Sequence, residues 1–210
     1  MVPASVHVAA AHPQPSSEPP LRAMFEARKR VFVDLLKWNV AVLDGRFEVD
    51  QFDTKNAEYL IVGDDVGRHM ASSRLLLTTS PHILDSLFPQ LCATTMPRGP
   101  QVREITRFCL DPRVGALARR EARNVLVSAL VEHALANGID TYTGVAEIGW
   151  LQQILAFGWQ CHPLGLPQVV DGRTLGALAI SITSETPDLL ARNGIHRPTE
   201  LAPVRILKAA

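Results

Sequence analysis

The stretch VREITRFCL, residues 102–110, has the composition of a buried β-strand, yet it contains two arginines and a glutamate. A charged side chain is costly to bury unless it is paired or reaches water. In a regular strand Glu104 and Arg107 point to opposite faces, because three positions separate them. They can serve one site only if the strand bulges or ends between them, whereas a structural ion pair or an edge-strand charge needs neither.

This strand begins a strand–helix–strand unit that sets the fold class. Apolar residues at helical spacing predict a helix over 117–136, which Gly138 ends, and TYTGVA over 141–146 is the next strand. Such a unit should cross over with a right hand. Around it, periodicity predicts helices over 21–36 and 147–157, strands over 59–63, 69–79, 159–164 and 175–183, and a short helix from Ser184. We expect an α/β protein with a mixed central sheet flanked by helices on both faces, in three layers.

Length and charge limit the class of partner. Of the 210 residues, 47% are apolar and 20% charged, and 21 basic residues balance 21 acidic ones to a formal net charge of +0. This balance gives no support for nucleic acid or a membrane as partner, and no apolar run is long enough to cross a bilayer. Residues 1–20, rich in Pro, Ser and Ala, are predicted to be a disordered extension without the features of a signal peptide. Residues 21–210 are predicted to form a single domain.

Cysteine usage predicts the cellular compartment. The three cysteines, Cys92, Cys109 and Cys161, are odd in number and include no CxxC pair. Neither a disulfide framework nor a zinc site is indicated, so we expect free thiols, no bound metal and a cytoplasmic location.

A second group of charges lies upstream of the opening strand. Asp50 and Asp53, three residues apart in VDQFDTKNAEY, precede a strand, and Arg74 interrupts the apolar run SSRLLL. The aspartates alone are equally consistent with turn or capping residues. Together with Glu104 and Arg107, these residues are predicted to form one buried, mutually compensated network of three acids and two bases.

The third motif is RKRVFVDLLKW, in which Arg28, Phe32 and Trp38 have the spacing R-x3-F-x5-W. Aromatic faces can hold a cation. The alternative is that Phe32 is a core residue and Trp38 closes the helix.

The combined motifs resemble those of the acyl-homoserine-lactone synthase family (the LuxI type) over roughly residues 22–185. The matching residues are Arg28, Phe32, Trp38, Asp50, Asp53, Arg74, Phe88, Glu104 and Arg107. Gly158–Trp159 after a helix also fits the family. Two departures are Arg103, where the family usually has Trp, and Trp150, where Met is expected.

The resemblance implies a fold like that of the GNAT acyltransferases and a two-step reaction. An acyl group passes from acyl carrier protein or acyl-CoA to the amine of S-adenosylmethionine, and the product closes to a lactone as methylthioadenosine leaves. The lactone is a quorum-sensing signal. No bound cofactor is implied, because S-adenosylmethionine is a substrate. The alternatives are another GNAT-type N-acyltransferase that uses acyl-CoA and a different amine, and a binding module without activity.

The resemblance also implies roles for individual residues. The catalytic residues would be Glu104, Arg107 and Asp53. S-Adenosylmethionine would be bound by Arg28, Phe32, Trp38, Asp50, Asp53 and Arg107. The acyl pocket would comprise Phe88, Thr143, Trp150 and Leu155, in which Trp150 favours a short, branched or aromatic acyl group. Arg119, Arg120 and Arg123 would receive the carrier protein or the phosphopantetheine phosphate, unless they form an ordinary solvated helix face.

Overall fold

The computed structural model describes residues 19–64, 68–197 and 204–208. Over these residues the helices are α1 Pro19–Arg28, α2 Ile83–Leu87, α3 Ala116–Ala136, α4 Ile148–Leu155 and α5 Thr186–Arg192. The strands are β1 Val42–Leu43, β2 Phe47–Glu48, β3 Glu58–Gly63, β4 His69–Leu77, β5 Val102–Leu110, β6 Thr141–Glu147, β7 Gln160–Pro163, β8 Gln168–Val170, β9 Arg173–Ser181 and β10 Val204–Lys208. Strands β3 to β10 form one mixed sheet, which confirms the predicted three-layer α/β class.

The sheet has the order β10-β3-β4-β5-β6-β9-β7, with β8 also paired to β9. All pairs are antiparallel except β5 with β6, which the crossover through α3 makes parallel. This parallel pairing extends only from Val102↔Thr141 to Glu104↔Thr143. Beyond Glu104 the two strands part, and their separation opens a cleft in the middle of the sheet.

The helices bury apolar faces on both sides of the sheet. One side is covered by α3, α4 and α5, whose Leu130, Leu151 and Leu190 belong to one buried cluster. The other side is covered by α1 and α2, where Phe25 packs in a separate cluster with Tyr59. Nonpolar burial of this kind supplies the main driving force for folding. The described chain contains no helix with both the length and the apolar character needed to cross a bilayer.

The strongest sequence patterns predicted the limits of their elements closely, whereas several short elements were not predicted. The strand predicted over 102–110 is observed with those limits, and helix 117–136 begins one residue early. The strands β1, β2, β8 and β10 were not predicted, and the supposedly irregular segment 80–91 contains α2 and a 3₁₀ turn, Pro89–Leu91. Two to five residues carry too little periodicity to be recognised.

The first helix differs from the prediction at both ends. It begins at Pro19, so that Pro19 and Pro20 of the predicted disordered segment form its first turn, whereas residues 1–18 lie outside the described residues. From Lys29 to Leu35 it continues as a π-helix. The predicted hairpin of β3 and β4 is confirmed, although part of its turn, residues 65–67, also lies outside the described residues.

Candidate active site

Strand β5 contains the bulge that the sequence required if its charges were to serve one site. Between residues 72–74 of β4 and 106–109 of β5, the register contains one extra residue on β5. Arg107 lies there with a φ of 50°, a left-handed conformation that side-chain-bearing residues rarely adopt. As a result Arg107 and Glu104 both point to the side of the sheet that α1 and α2 cover.

Three arginines and three acids alternate in a charge network on this side of the sheet. Its members are Arg28, Arg74, Arg107, Glu48, Asp50 and Asp53. Arg28, at the end of α1, binds both oxygens of Asp53 at 2.8 and 2.9 Å and also donates to Glu48. Burial by itself would raise the pKa of the Asp53 carboxyl, but the charges of Arg28 and Arg74 hold that pKa far below its usual range.

The other two arginines connect the network to the sheet. Arg74 binds both oxygens of Asp50 at 2.7 and 3.0 Å, and its Nε donates to the Thr106 hydroxyl at 2.9 Å. Arg107 bridges Glu48 at 2.9 Å and Asp50 at 2.7 Å. With three charges of each sign, every buried charge has a partner, which is the condition for burying such groups.

The predicted membership of this network is wrong in one acid, and it also lacked Arg28, which was expected at the substrate instead. Glu104 was expected as its third acid, but Glu48 on β2 takes that position. The carboxylate of Glu104 accepts hydrogen bonds from the backbone N–H groups of Ile83 (2.8 Å) and Leu84 (2.9 Å) in the first turn of α2. Burial raises the pKa of Glu104 to about 7, although these two hydrogen bonds and the charge of Arg74 act in the opposite direction.

A cavity of about 1300 Å³ occupies the cleft where β5 and β6 part. Eight predicted site residues line it: Phe32, Trp38, Asp50, Phe88, Glu104, Arg107, Thr143 and Trp150. Of the charge network, Asp50 and Arg107 reach the cavity wall, each with 10% of its side chain exposed. Glu104 also lines the cavity, so a carboxyl with a pKa near neutrality shares this space with an ion pair.

An aromatic pair forms the wall beside Arg107. The rings of Phe32 and Trp38 stack with their centroids 4.7 Å apart. The guanidinium of Arg107 lies over both rings, at 5.4 Å from Phe32 and 5.6 Å from Trp38, and Arg173 lies 5.5 Å from the Trp38 centroid. These ring faces, which were predicted to hold a substrate cation, are therefore already in contact with protein cations.

Comparison with known proteins identifies the family of this chain. The family model of autoinducer synthases matches residues 15–187. The chain belongs to the autoinducer synthase family. The acyl-homoserine-lactone synthase of Ralstonia nicotianae is 30% identical over 171 residues, which cover 78% of this chain and 83% of that one. The isovaleryl-homoserine lactone synthase of Bradyrhizobium diazoefficiens is 32% identical over 175 residues, covering 81% and 76% respectively.

Solved structures agree with this assignment. The CoA-dependent acyl-homoserine lactone synthase BjaI, solved with MTA, superposes with a TM-score of 0.74 and 32% identity, covering 85% of this chain and 83% of its own. An N-acetyltransferase from Lactobacillus plantarum, at 18% identity and a TM-score of 0.51, shares the fold alone. The predicted family and GNAT-like fold are thereby confirmed, and the synthase is an acyltransferase that makes acyl-homoserine lactones.

Another part of the cavity wall is aromatic, and the wall also carries a hydroxyl without a partner among the described residues. Trp150 packs against Phe108 and Phe157, at centroid distances of 5.2 and 5.9 Å. The Oγ1 of Thr143 is buried and has no hydrogen-bond partner among the described residues. Leu155, predicted to line this pocket, is instead half-buried outside it, and Ile154 lines it. Ile154 is one helical turn from Trp150, so the two share a face of α4.

Two further predicted contacts do not agree with the structure of the synthase. Arg28 and Asp53 were expected to touch the substrate, but both are fully buried and neither lines the cavity. Their charges are used within the network, so they act on the cavity through Asp50 and Arg107. The predicted docking arginines, Arg119, Arg120 and Arg123, lie in the N-terminal half of α3, outside the cavity lining.

The sequence did not reveal five charged residues of the site, which are Glu48, Arg173, Glu147, Lys37 and Asp171. Glu48 lies two residues before Asp50, and this E-x-D spacing near Arg28 was the available signal. Arg173 and Glu147 form an ion pair at 2.9 Å on the cavity wall, but no pattern connects positions 26 residues apart.

Proposed function

We propose that the synthase transfers a short, branched acyl group from coenzyme A to the amine of S-adenosylmethionine and then closes the product to a lactone. The observation that carries this proposal is the position of Glu104. It lines the same cavity as the Asp50–Arg107 pair and the Trp150 cluster. A group with a pKa of about 7 in that cavity can accept the proton of an attacking amine.

The charged side of the cavity fits the amino-acid part of the substrate. The carboxylate of Asp50 provides negative charge for the sulfonium cation, while Arg107 provides donors for the substrate carboxylate. Arg107 uses Nε and Nη2 in its bonds to Glu48 and Asp50, and none of these bonds uses Nη1. We therefore assign carboxylate binding to Arg107. In this assignment Phe32 and Trp38 orient the Arg107 guanidinium. Asp50, and not the two aromatic rings, then stabilises the sulfonium charge.

The first step forms an amide at the expense of a thioester. The neutral amine nitrogen attacks the thioester carbon, and Glu104 takes the amine proton directly or through a water. The C–S bond then breaks, and the leaving thiolate takes up that proton and departs as the thiol, which returns Glu104 to its carboxylate form. The oxyanion of the tetrahedral intermediate needs donors in a fixed position. Backbone N–H groups of β5 beyond Glu104 are proposed for this role, because pairing with β6 ends at that residue.

The second step is an intramolecular displacement. A carboxylate oxygen of the methionine portion attacks its own γ-carbon, the bond from that carbon to the sulfonium sulfur breaks, and neutral methylthioadenosine leaves. The role proposed for Arg107 is to hold the carboxylate in line with the γ-carbon. No proton transfer is required, so Glu104 has no part in this step.

Two relatives support the proposal of a branched acyl group carried by coenzyme A. The structure of BjaI with SAM and isopentyl-CoA comes from a CoA-dependent synthase that is 32% identical to this chain. The Bradyrhizobium relative of similar identity is named for a branched five-carbon acyl group, and a tryptophan in the acyl pocket suits such a group. An acyl carrier protein as donor, bound at Arg119, Arg120 and Arg123, is the alternative. The reaction is assigned to the cytoplasm, where the free thiols of the chain are stable.

Product analysis tests the proposed function. We expect the purified protein, given S-adenosylmethionine and isovaleryl-CoA, to release methylthioadenosine and free coenzyme A in equal amounts, with isovaleryl-homoserine lactone identified by mass spectrometry. A GNAT acyltransferase acting on another amine would release coenzyme A without methylthioadenosine. Turnover with the acyl carrier protein thioester alone would retain lactone synthesis and reject coenzyme A as the donor.

Substitution of Trp150 tests the acyl selectivity. Because Trp150 packs on Phe108 and Phe157 in the cavity wall, Trp150→Met should open space and shift the preferred acyl chain to greater length. The measurement is kcat/KM for acyl-CoAs of four to ten carbons. We expect a gain of about tenfold for the longer chains relative to isovaleryl-CoA, about one to two methylene groups of binding energy.

Leu155→Met is the matched control, since Leu155 lies on the same helix but outside the cavity lining. It should leave the chain-length profile of the wild type in place. An unaltered profile for Trp150→Met would count against the assigned pocket.

A further inference from the structure

One side chain bridges two segments of the cavity wall. Arg173 is the first residue of β9 and lines the cavity. Its Nη1 donates to Glu147 at the end of β6 at 2.9 Å, and its Nη2 donates to the backbone carbonyl of Leu36 at 2.8 Å. Glu147 belongs to the β6–β9 half of the sheet and Leu36 to the end of the first helix, so one guanidinium joins the two walls.

The carbonyl that Arg173 reaches belongs to a strained helix end. Leu36 and Trp38 donate back to Val31 and Phe32, and the intervening Lys37 has a φ of 56°, which a residue other than glycine rarely adopts. A cation at the C-terminal end of a helix is favoured by the helix dipole. Arg173 is therefore placed to hold this turn in its left-handed conformation.

The same guanidinium contacts the aromatic wall. It lies 5.5 Å from the ring centroid of Trp38, whose other neighbours are the Phe32 ring and the Arg107 guanidinium. The position of Trp38 thus depends on the left-handed conformation of Lys37 and on the contact with Arg173. Arg107 pairs with Glu48 and Asp50 and also lies over that ring, so a displaced Trp38 would remove one of the contacts that orient its guanidinium.

Arg173 is itself held rigidly. Residues 171 and 172 connect β8 to β9, and both have positive φ, 50° for Asp171 and 76° for Gly172, as in a tight two-residue hairpin turn. Arg173 follows this turn directly and pairs with Val170. A guanidinium on a rigid hairpin loses little freedom when it binds two partners.

We infer that Arg173 is a positioning residue for S-adenosylmethionine: it links Glu147 to the Leu36–Trp38 turn and so fixes Trp38 and Arg107 against the substrate. This inference rests on the proposed function, which assigns that side of the cavity to S-adenosylmethionine. Arg173 need not touch the substrate. Its loss should weaken binding of one substrate and not the other.

Steady-state kinetics of Arg173→Met test the inference. With S-adenosylmethionine and acyl-CoA varied in turn, we expect KM for S-adenosylmethionine to rise about tenfold, with KM for acyl-CoA and kcat within about twofold of wild type. Calorimetric titration of S-adenosylmethionine should show a matching loss of affinity. Arg173→Lys keeps a cation near Trp38 but cannot donate to two partners at once, so its KM for S-adenosylmethionine should lie between those of the wild type and Arg173→Met. Glu147→Gln should raise this KM less than either Arg173 variant.

Simple electrostatics predicts the opposite change in KM for S-adenosylmethionine. Removal of a cation near a cationic substrate, with Glu147 left unpaired, should tighten binding if Arg173 acts by charge alone. A lower or unchanged KM for S-adenosylmethionine would therefore overturn the inference, as would a rise in KM for acyl-CoA, alone or in parallel. Arg192→Met, an exposed charge on α5, should match wild type in all constants. Failure of the wild type to release methylthioadenosine would reject the proposed function, whereas an active wild type with an unaffected Arg173→Met rejects only this inference.

Discussion

Replacement of Glu104 by glutamine is expected to lower kcat by about 10²–10⁴-fold, the usual contribution of a positioned general base. Glutamine has nearly the same shape and can still accept one of the two hydrogen bonds from Ile83 and Leu84. It cannot accept a proton from the amine. The loss should therefore appear in turnover with a KM for acyl-CoA close to that of the wild type, measured by thiol release.

The pH dependence separates a base from a positioning group. Burial raises the pKa of Glu104 to about 7, so the wild-type rate should increase with pH through about 7 as the carboxylate forms. In Glu104→Gln that limb of the profile should be absent. If Glu104→Gln is slower but its rate still increases with pH through about 7, Glu104 only positions the substrate. If its turnover is close to that of the wild type, Glu104 has no part in the mechanism.

The same pKa has a consequence for stability. The ordinary pKa of a glutamate carboxyl is 4.5, so between that pH and about 7 the folded state holds a proton that the unfolded chain has lost. The contribution of Glu104 is therefore fully present below pH 4.5 and decreases as pH rises through about 7. Thermal unfolding of the wild type should show this decrease, and that of Glu104→Gln should not. Glu121→Gln, which affects a surface pair with Arg197, is the control for both measurements.

Local patterns identified the elements around the site, because those elements are long and strongly periodic. Helix α3 presents an apolar face over 21 residues, and β5 and β6 follow from the same kind of pattern. The bulge at Arg107 is different. Its left-handed conformation is visible in the backbone but has no signature in a segment without glycine, so the sequence could state only that Glu104 and Arg107 needed one.

The site itself was predicted as a set of residues more accurately than as a set of contacts. Charge balance required an acid for each buried arginine, and both Glu48 and Glu104 were available near Asp50 and Asp53 in the fold. Which glutamate pairs with Arg107 depends on the short strand β2, and no periodic pattern indicates that strand. Arg173 was missed for a similar reason, since its partners come from distant segments that only the folded sheet brings together.

Replacement of Arg28 by methionine is expected to cause the largest loss of stability. Arg28 is fully buried and binds Asp53 through both nitrogens, with Glu48 on its Nε. Methionine has a similar length but leaves two buried carboxylates short of a partner. Removal of one member of a buried ion pair typically costs about 3–5 kcal/mol, which for a chain of this size lowers the unfolding midpoint by about 6–20 °C.

The pH dependence of unfolding gives this prediction a second readout. The arginines hold the pKa values of Asp50 and Asp53 below the ordinary aspartate value of 3.8, so the stabilisation by these two carboxylates is present above about pH 4 and is lost as pH falls through their depressed folded pKa values. With Arg28 removed, Asp53 keeps Arg74 but loses the arginine that binds both of its oxygens, and its folded pKa should rise. Acid unfolding of Arg28→Met should therefore begin at a higher pH than that of the wild type.

The control must remove an arginine from an ion pair without uncovering a buried charge. Arg46 pairs with Glu26 at 2.7 Å, and 60% of the Arg46 side chain is exposed. Exposed pairs contribute about 0–1 kcal/mol, so Arg46→Met should shift the midpoint by no more than a few degrees. Arg28→Lys keeps the charge without the fork and should fall between the two, which provides a folded comparison if Arg28→Met yields no soluble protein. Equal midpoints for Arg28→Met and Arg46→Met would mean that the network adds no more stability than a surface pair, and that its six charges are retained for the substrate cavity alone.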